Sequence, residues 1–174
     1  MARAARALTL GLLLAMCTGA RALPPGAPVA REAFDLCQLA EARSDDKRVE
    51  ILTRGQVLAE TAIRANDHDG LAQLALFCNL ARRIQTSGPS LSRPLEMLRA
   101  LQALDRAVTL APNDPDVLTA KGALLVQLPR LLGGDRERGE QWLRRALALD
   151  PHHDVARSYL ADPLARRAPA HELR

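Results

Sequence analysis

A repeated spacing of small residues limits the fold of this chain more than any other feature of its sequence. Three segments, 49–67, 95–112 and 137–151, each carry an alanine with a small residue seven positions before it and a helix-breaking residue five positions after it. The pairs are Gly55 and Ala62, Ala100 and Ala107, and Gly139 and Ala146. Seven residues make two turns of an α-helix, so both members of a pair lie on one face and allow another helix to approach closely. The repeat therefore predicts stacked helices.

A second kind of helix follows each of these segments. These helices open at Asp69, Asp116 and Asp154, where an aspartate accepts hydrogen bonds from the free backbone N–H groups of a helix start. The alternation predicts helical hairpins, with turn-rich loops at 85–94 and 128–135. Prolines between the helices argue against a long coiled coil, and the small number of valine and isoleucine residues favours an all-α protein.

The first 22 residues have the three parts of a secretory signal peptide. Arg3 and Arg6 give a positive start, and residues 8–17 form an apolar run that is too short to cross a bilayer. Residues 20–22 then supply the small-residue pattern of a cleavage site. We expect cleavage after Ala22 and a periplasmic or secreted mature chain.

Cys17 leaves two other outcomes open for this segment. Residues 14–17 resemble a bacterial lipoprotein box, in which the cysteine is lipidated, although Met16 stands where that pattern has a small residue. An uncleaved anchor is the third possibility. A membrane is an expected partner only if Cys17 carries a lipid.

The charge of the chain does not point to nucleic acid. The full sequence has 24 Lys and Arg against 20 Asp and Glu, a net charge of +4, but three of the arginines belong to the predicted signal peptide. The mature chain is then close to neutral. Aromatic residues make up only 2% of the sequence, too few for a platform on which single-stranded bases stack. We therefore expect no nucleic-acid partner.

Parts of these segments resemble the tetratricopeptide repeat. Its second-helix spacing is matched by Leu104, Ala107 and Pro112 and by Leu143, Ala146 and Pro151, and its first-helix spacing by Leu118, Gly122 and Leu125. The resemblance implies a right-handed solenoid over residues 28–168, with about three helical hairpins and a C-terminal capping helix at 154–168. A linker at 23–27 precedes it, and a frayed tail at 169–174 follows. Lys121 departs from the pattern, which has leucine at that position.

Two cysteines remain after the signal peptide. Aligning residues 36–40 with 77–81 places Cys37 and Cys78 at equivalent positions of neighbouring first helices. In an exported protein, such a pair can form a disulfide if both side chains point into the shared seam. The alternative is two buried thiols that pack as small apolar side chains.

The resemblance also implies a concave surface lined by the first helices, which tetratricopeptide proteins use to bind peptides or partner proteins. The candidate groove residues are Gln38, Asn79, Arg83, Gln127 and Arg130. Arg83 and Arg130 are 47 residues apart, like Asp69 and Asp116, and are expected to be equivalent in two hairpins, so their guanidinium groups could together hold a carboxylate or an acidic peptide. The alternative is that both are solvated arginines near helix ends, where a cation suits the helix dipole.

No group of residues has the spacing of a catalytic or metal site. His152 and His153 are adjacent on a turn, and no further histidine lies one helical turn away. Gly133 and Gly134 lack the lysine and the preceding strand of a phosphate-binding loop. We expect no catalytic residue, no metal and no cofactor, and hence a protein that is not an enzyme.

The sequence therefore predicts an exported, non-catalytic scaffold for a protein or peptide partner, and it does not predict the oligomeric state. Two narrower resemblances supply alternatives. Residues 110–118 with 143–152 are similar to the periplasmic repeat domain of cytochrome c maturation proteins, which implies binding of apocytochrome tails. Residues 128–135 resemble the T-component of TRAP transporters, which implies a carrier of small organic ligands.

Overall fold

The computed structural model describes residues 24–43, 47–86 and 93–161, and these residues are helical with no strand. They form α1 (Ala27–Glu41), α2 (Lys47–Ala65), α3 (Gly70–Thr86), α4 (Arg93–Leu110), α5 (Pro115–Gln127), α6 (Arg136–Leu149) and α7 (Asp154–Ala161), with a 3-10 turn at Arg130–Leu132. The prediction of an all-α chain is confirmed. The predicted signal peptide, Cys17, and the tail at 169–174 lie outside the described residues. No described helix is long and apolar enough to cross a membrane.

Consecutive helices pack as antiparallel pairs. A Cβ at Gly26, just before α1, would lie 3.1 Å from the carbonyl oxygen of Ala62 near the end of α2. A Cβ at Gly70, the first residue of α3, would lie 2.8 Å from the Cβ of Ala111, just after α4. The helices α5 and α6 pair in the same way. The molecule therefore has a turn end, with the connections 66–69, 111–114 and 150–153, and a loop end, with the connections that follow α1, α3 and α5.

The repeated small residues lie in the helix contacts. All six of them are buried: Gly55, Ala62, Ala100, Ala107, Gly139 and Ala146. Between α5 and α6, a Cβ at Gly122 would lie 2.8 Å from the carbonyl oxygen of Gly139. Larger side chains at these places would force the helices apart, since packed interiors leave little free volume.

The first junction, where α3 packs along both α1 and α2, is closed by short side chains and a covalent bond. Cys37 of α1 and Cys78 of α3 form a disulfide with their Cα atoms 6.1 Å apart. Next to it, Asn79 Nδ2 donates to the carbonyl oxygens of Ala33, at 3.0 Å, and Ala75, at 2.8 Å. The Asn79 Oδ1 faces the side of Gly55 where a Cβ would stand, and any Cβ there would overlap it.

The second junction, where α5 meets α4 and only the edge of α3, is a less extensive contact. Val117 of α5 belongs to the core shared by the first four helices, together with Leu104. The next residue, Leu118, belongs instead to a separate core that includes Leu143 and the helices α6 and α7. An ion pair between Lys121 Nζ and Asp105 Oδ1, 2.7 Å apart, lies at the edge of this junction.

The three turns at the turn end have one hydrogen-bonding design. Asp69 Oδ1 accepts from the backbone N–H groups of Leu71 and Ala72, and Asp114 Oδ1 does the same for α5. In the third turn, His153 Nδ1 accepts from the N–H of Ala156 at 3.3 Å. The capping residues are therefore Asp69, Asp114 and His153. The sequence places Asp116 and Asp154 at the helix starts with Asp69, but Asp116 is the second residue of α5 and Asp154 the first residue of α7, each after the capping residue.

Candidate functional site

Two of the predicted groove residues point into the molecule. Asn79 is fully buried and its amide binds backbone carbonyls, so its assignment to a groove surface is wrong. Its Oδ1 has no hydrogen-bond donor among the described residues. Gln127 is half-buried at the end of α5, and its Nε2 donates to the hydroxyl of Tyr159 at 2.8 Å, which ties α7 to α5. Both amides serve helix packing.

The other two residues on first helices lie at the surface but are not brought together. Gln38 is exposed on α1. Arg83 is half-buried, and its guanidinium lies 3.2 Å from the carboxylate of Glu96, which joins the end of α3 to the start of α4. Arg83 therefore has a carboxylate partner within its own hairpin.

Arg130 is not the counterpart of Arg83. The chain leaves α5 at Gln127, because Leu128 precedes Pro129 and is extended, with ψ 141°, as the residue before a proline prefers. Arg130 then begins the 3-10 turn, outside any α-helix. The helix caps also set the repeat at 45 residues, from Asp69 to Asp114, so Arg83 corresponds to Leu128. The proposed pair of equivalent arginines is therefore a wrong prediction.

The loop that carries Arg130, residues 128–135, is held in one conformation by its own backbone. Leu132 N donates to Pro129 O at 2.9 Å, and Gly134 N donates to the same carbonyl at 3.0 Å. Asp135 N donates to Leu125 O at 3.0 Å, which anchors the end of the loop to α5. A backbone with most of its polar groups paired in this way has little freedom left.

Two glycines and an aspartate complete the loop. Gly133 has φ 87°, a left-handed conformation that residues with a Cβ rarely adopt. A Cβ on Gly134 would overlap the carbonyl of Leu128. The side chain of Asp135 accepts from the N–H of Arg138 at 3.0 Å, so Asp135 caps α6. The loop thus reverses the direction of the chain between α5 and α6, and its tip points away from the helices.

The tip of this loop is apolar. Leu131 is 98% exposed and Leu132 is 69% exposed. At the same loop end, α4 begins with Leu95, 72% exposed, and Leu98, 52% exposed. We call these four residues the leucine surface. A single exposed leucine is ordinary, whereas large exposed apolar areas are characteristic of interaction sites.

Sequence reasoning did not select the leucine surface. The available signal was the adjacent pair Leu131 and Leu132 inside a segment rich in proline and glycine, where polar residues are usual. The helical pattern alone does not reveal Leu95 and Leu98, because an apolar residue at a helix start is equally consistent with burial.

The charges around the loop are mostly neutralised within the chain. Glu140 of α6 lies 3.2 Å from Arg136 and 2.8 Å from Arg144. The hydrogen bond from Arg136, followed by the bond and the charge of Arg144, lowers the pKa of Glu140. Arg130 is exposed and has no carboxylate partner among the described residues. It is the cation that this loop offers to another molecule.

His153 has a structural place in the turn before α7. Its Nε2 lies 3.1 Å from Asp116 Oδ1 and 3.5 Å from Thr119 Oγ1, while Nδ1 accepts the backbone bond that caps α7. Both side-chain contacts use the same ring nitrogen, so the three groups do not form a proton relay of the Ser-His-Asp kind. Within the described part of the chain, no group of three acidic, histidine or cysteine side chains has the placement of a metal site.

Comparisons with protein-family models, with curated proteins and with solved structures gave no match for this chain.

Proposed function

We propose that this chain is an exported, non-catalytic protein-binding module, built as a right-handed solenoid of three tetratricopeptide-like hairpins with α7 as its cap. The leucine surface is the observation that carries the binding role. Leu131, Leu95 and Leu132 are the three most exposed large apolar side chains of the described residues, and with Leu98 they lie at the loop end in contact with water. Covering them with a partner would release that water, which is the main driving force of protein association.

The repeat geometry supports the proposed class of fold. The paired helices, the buried small residues at equivalent places and the capped turns at one end are what a stack of hairpins requires. In such stacks each hairpin contacts its neighbours, and the ends and loops remain available for partners.

The disulfide supports the proposed export. Disulfides persist in oxidising compartments and are rare where thiols are kept reduced. The pairing of Cys37 with Cys78 therefore agrees with a leader at residues 1–22 that directs the chain out of the cytosol.

Affinity capture tests the proposed function. The chain from Leu23 to Arg174 is immobilised with its disulfide intact and exposed to the exported proteins of its source. We expect it to retain a defined protein, and we expect a variant with serine at all four positions of the leucine surface to lose that protein. Equal elution volume and helical content of the two chains would show that the variant is folded. Retention of no protein by the parent chain would contradict the proposal.

A further inference from the structure

We propose that the loop 128–135 is the anchor of this surface: it inserts Leu131 and Leu132 into an apolar pocket of a partner protein, while Arg130 meets a carboxylate at the rim of that pocket. This inference rests on the proposed function and specifies the chemistry of the partner.

The loop has the shape of an inserted element rather than of a receiving groove. Leu131 is almost fully exposed, so it projects from the molecule instead of lying along it. Its exposed neighbour Leu132 widens the same tip. A projecting apolar side chain is the kind of anchor that fills a pocket at the centre of an interface.

The loop is also organised before any partner arrives. The bonds from Leu132 and Gly134 to Pro129 and from Asp135 to Leu125 fix the backbone on both sides of the tip. Binding therefore loses little backbone entropy, and a preorganised loop gains affinity for that reason.

The positive charge beside the tip predicts a negative charge at the rim of the partner's pocket. Asp135 is engaged as the cap of α6, and Arg136 is paired with Glu140. Arg130 adjoins Leu131 and has no acidic partner among the described residues. A carboxylate beside the pocket would pair with it, and such complementary charges fix the register of a complex.

The same charges favour a protein over a lipid surface. Polybasic membrane sites gather several lysines or arginines without acids between them. Here residues 135–140 contain three acidic and two basic side chains, and with Arg130 the local charge is balanced. The tip therefore lacks the electrostatic attraction that would hold it to anionic headgroups.

Site-specific photo-crosslinking tests this inference. The photo-reactive residue p-benzoylphenylalanine replaces Leu131 in one chain and Leu149 in a control chain; Leu149 is exposed on α6, in the same hairpin but at the turn end. Both chains are irradiated with the exported proteins of the source, and the crosslinked peptides are sequenced by mass spectrometry. We expect a crosslink from position 131 to an apolar segment with an aspartate or glutamate close to it, and none to that protein from position 149.

Substitutions then measure the contribution of each group once the crosslinked protein is purified. We expect Leu131→Ser with Leu132→Ser to weaken its binding about 100-fold, since each buried leucine contributes about tenfold. We expect Arg130→Glu to weaken it about tenfold, with recovery when the crosslinked acidic residue is changed to lysine. Leu149→Ser should leave the affinity unchanged.

Other binding partners of the tip would give different results in these experiments. Binding of the parent chain to vesicles of phosphatidylglycerol and phosphatidylethanolamine through Leu131 would overturn the inference in favour of a lipid surface. A crosslink from 131 to the chain itself, with a doubled mass in light scattering, would overturn it in favour of a second copy. Capture of a protein that is insensitive to the two serine substitutions would overturn it and leave the proposed function standing, whereas capture of no protein would contradict both.

Discussion

The two junctions between the hairpins use different means to hold helices together. At the first junction, Gly55 and Asn79 let α3 lie close to α1 and α2, and the bond between Cys37 and Cys78 makes the contact covalent. At the second junction, α5 meets α4 through larger side chains such as Val117, over a shorter stretch. The first four helices are thus joined as one unit, while α6 and α7 have a core of their own.

One position of the repeat contributes to this difference. In the register set by the helix caps, Asn79 of α3 corresponds to Leu124 of α5. A short amide that binds backbone carbonyls permits close approach, whereas a leucine must be accommodated by distance. The repeat therefore conserves the pairing of helices within hairpins but does not conserve the spacing between hairpins.

Removing the disulfide is expected to have the largest effect on this comparison. The bond closes a loop with a sequence separation of 41 residues, so Cys37→Ala with Cys78→Ala should lower the free energy of unfolding by about 4 kcal/mol. Urea denaturation measured by circular dichroism gives the value. The parent chain under reducing conditions is the control and should match the variant. An unchanged midpoint would mean that the first junction does not depend on the bond.

Filling the contact at Gly55 is expected to have the next largest effect. Gly55→Ala places a methyl group on the Asn79 amide, and overpacking of this kind costs about 2 kcal/mol even after the gain in helix propensity. Denaturation midpoints measure it. Thr53→Ala, an exposed change on the same helix, is the matched control and should have little effect. A stabilised Gly55→Ala variant would show that the junction has room to spare.

The cap beyond the second junction should have a smaller effect. His153→Ala removes the acceptor for the Ala156 N–H and is expected to lower the stability of the protein by about 1 kcal/mol, the usual value for a capping residue. His153→Asn retains a capping acceptor but not the Nε2 contact with Asp116, so it should restore the part of the loss that comes from the cap. Amide hydrogen exchange of α7 measures the effect locally. Equal exchange in the alanine and parent chains would contradict the capping role.

Removing surface ion pairs should have the smallest effect on the free energy of unfolding, and the effect should be similar at the two junctions. Lys121→Ala at the second junction and Arg82→Ala at the first each remove an ion pair with an exposed or half-exposed carboxylate. Both should lower the free energy of unfolding by less than about 1 kcal/mol. Thermal melts at low and high salt measure the two variants in parallel. A large loss for Lys121→Ala alone would mean that the second junction depends on electrostatics.

A good part of the fold was accessible from the residues alone. The helical periodicity and the recurring pairs such as Ala100 and Ala107 predict antiparallel helices with buried small side chains, because a two-turn spacing has only one geometric consequence on a helix. Pro112 and Pro151 marked the ends of helices for an equally local reason. The predicted loop 128–135 begins where α5 ends, at Gln127, whereas the helix starts were less accurate, since Asp116 lies inside α5 rather than at its cap.

Much less of the candidate site could be predicted from the sequence. A polar residue on a helix gives the same sequence signal whether it faces water or a neighbouring helix, and Asn79 was therefore assigned to the wrong environment. The equivalence of Arg83 and Arg130 depended on a register that the aspartates near the turns leave uncertain by two residues. Only the packing of the helices shows that Asn79 is buried and that Arg83 and Arg130 are not equivalent.

The sequence by itself determined the class of fold, since local rules of spacing, capping and helix breaking depend only on neighbours in the chain. The tertiary structure alone decided that Asn79 is buried against Gly55, that His153 replaces an aspartate as a cap, and that Leu131 and Leu132 stand in water. Each of these depends on contacts between residues far apart in the chain or on the path of a loop. A periodic pattern constrains which residues share a helix face, but burial is set by what packs against that face.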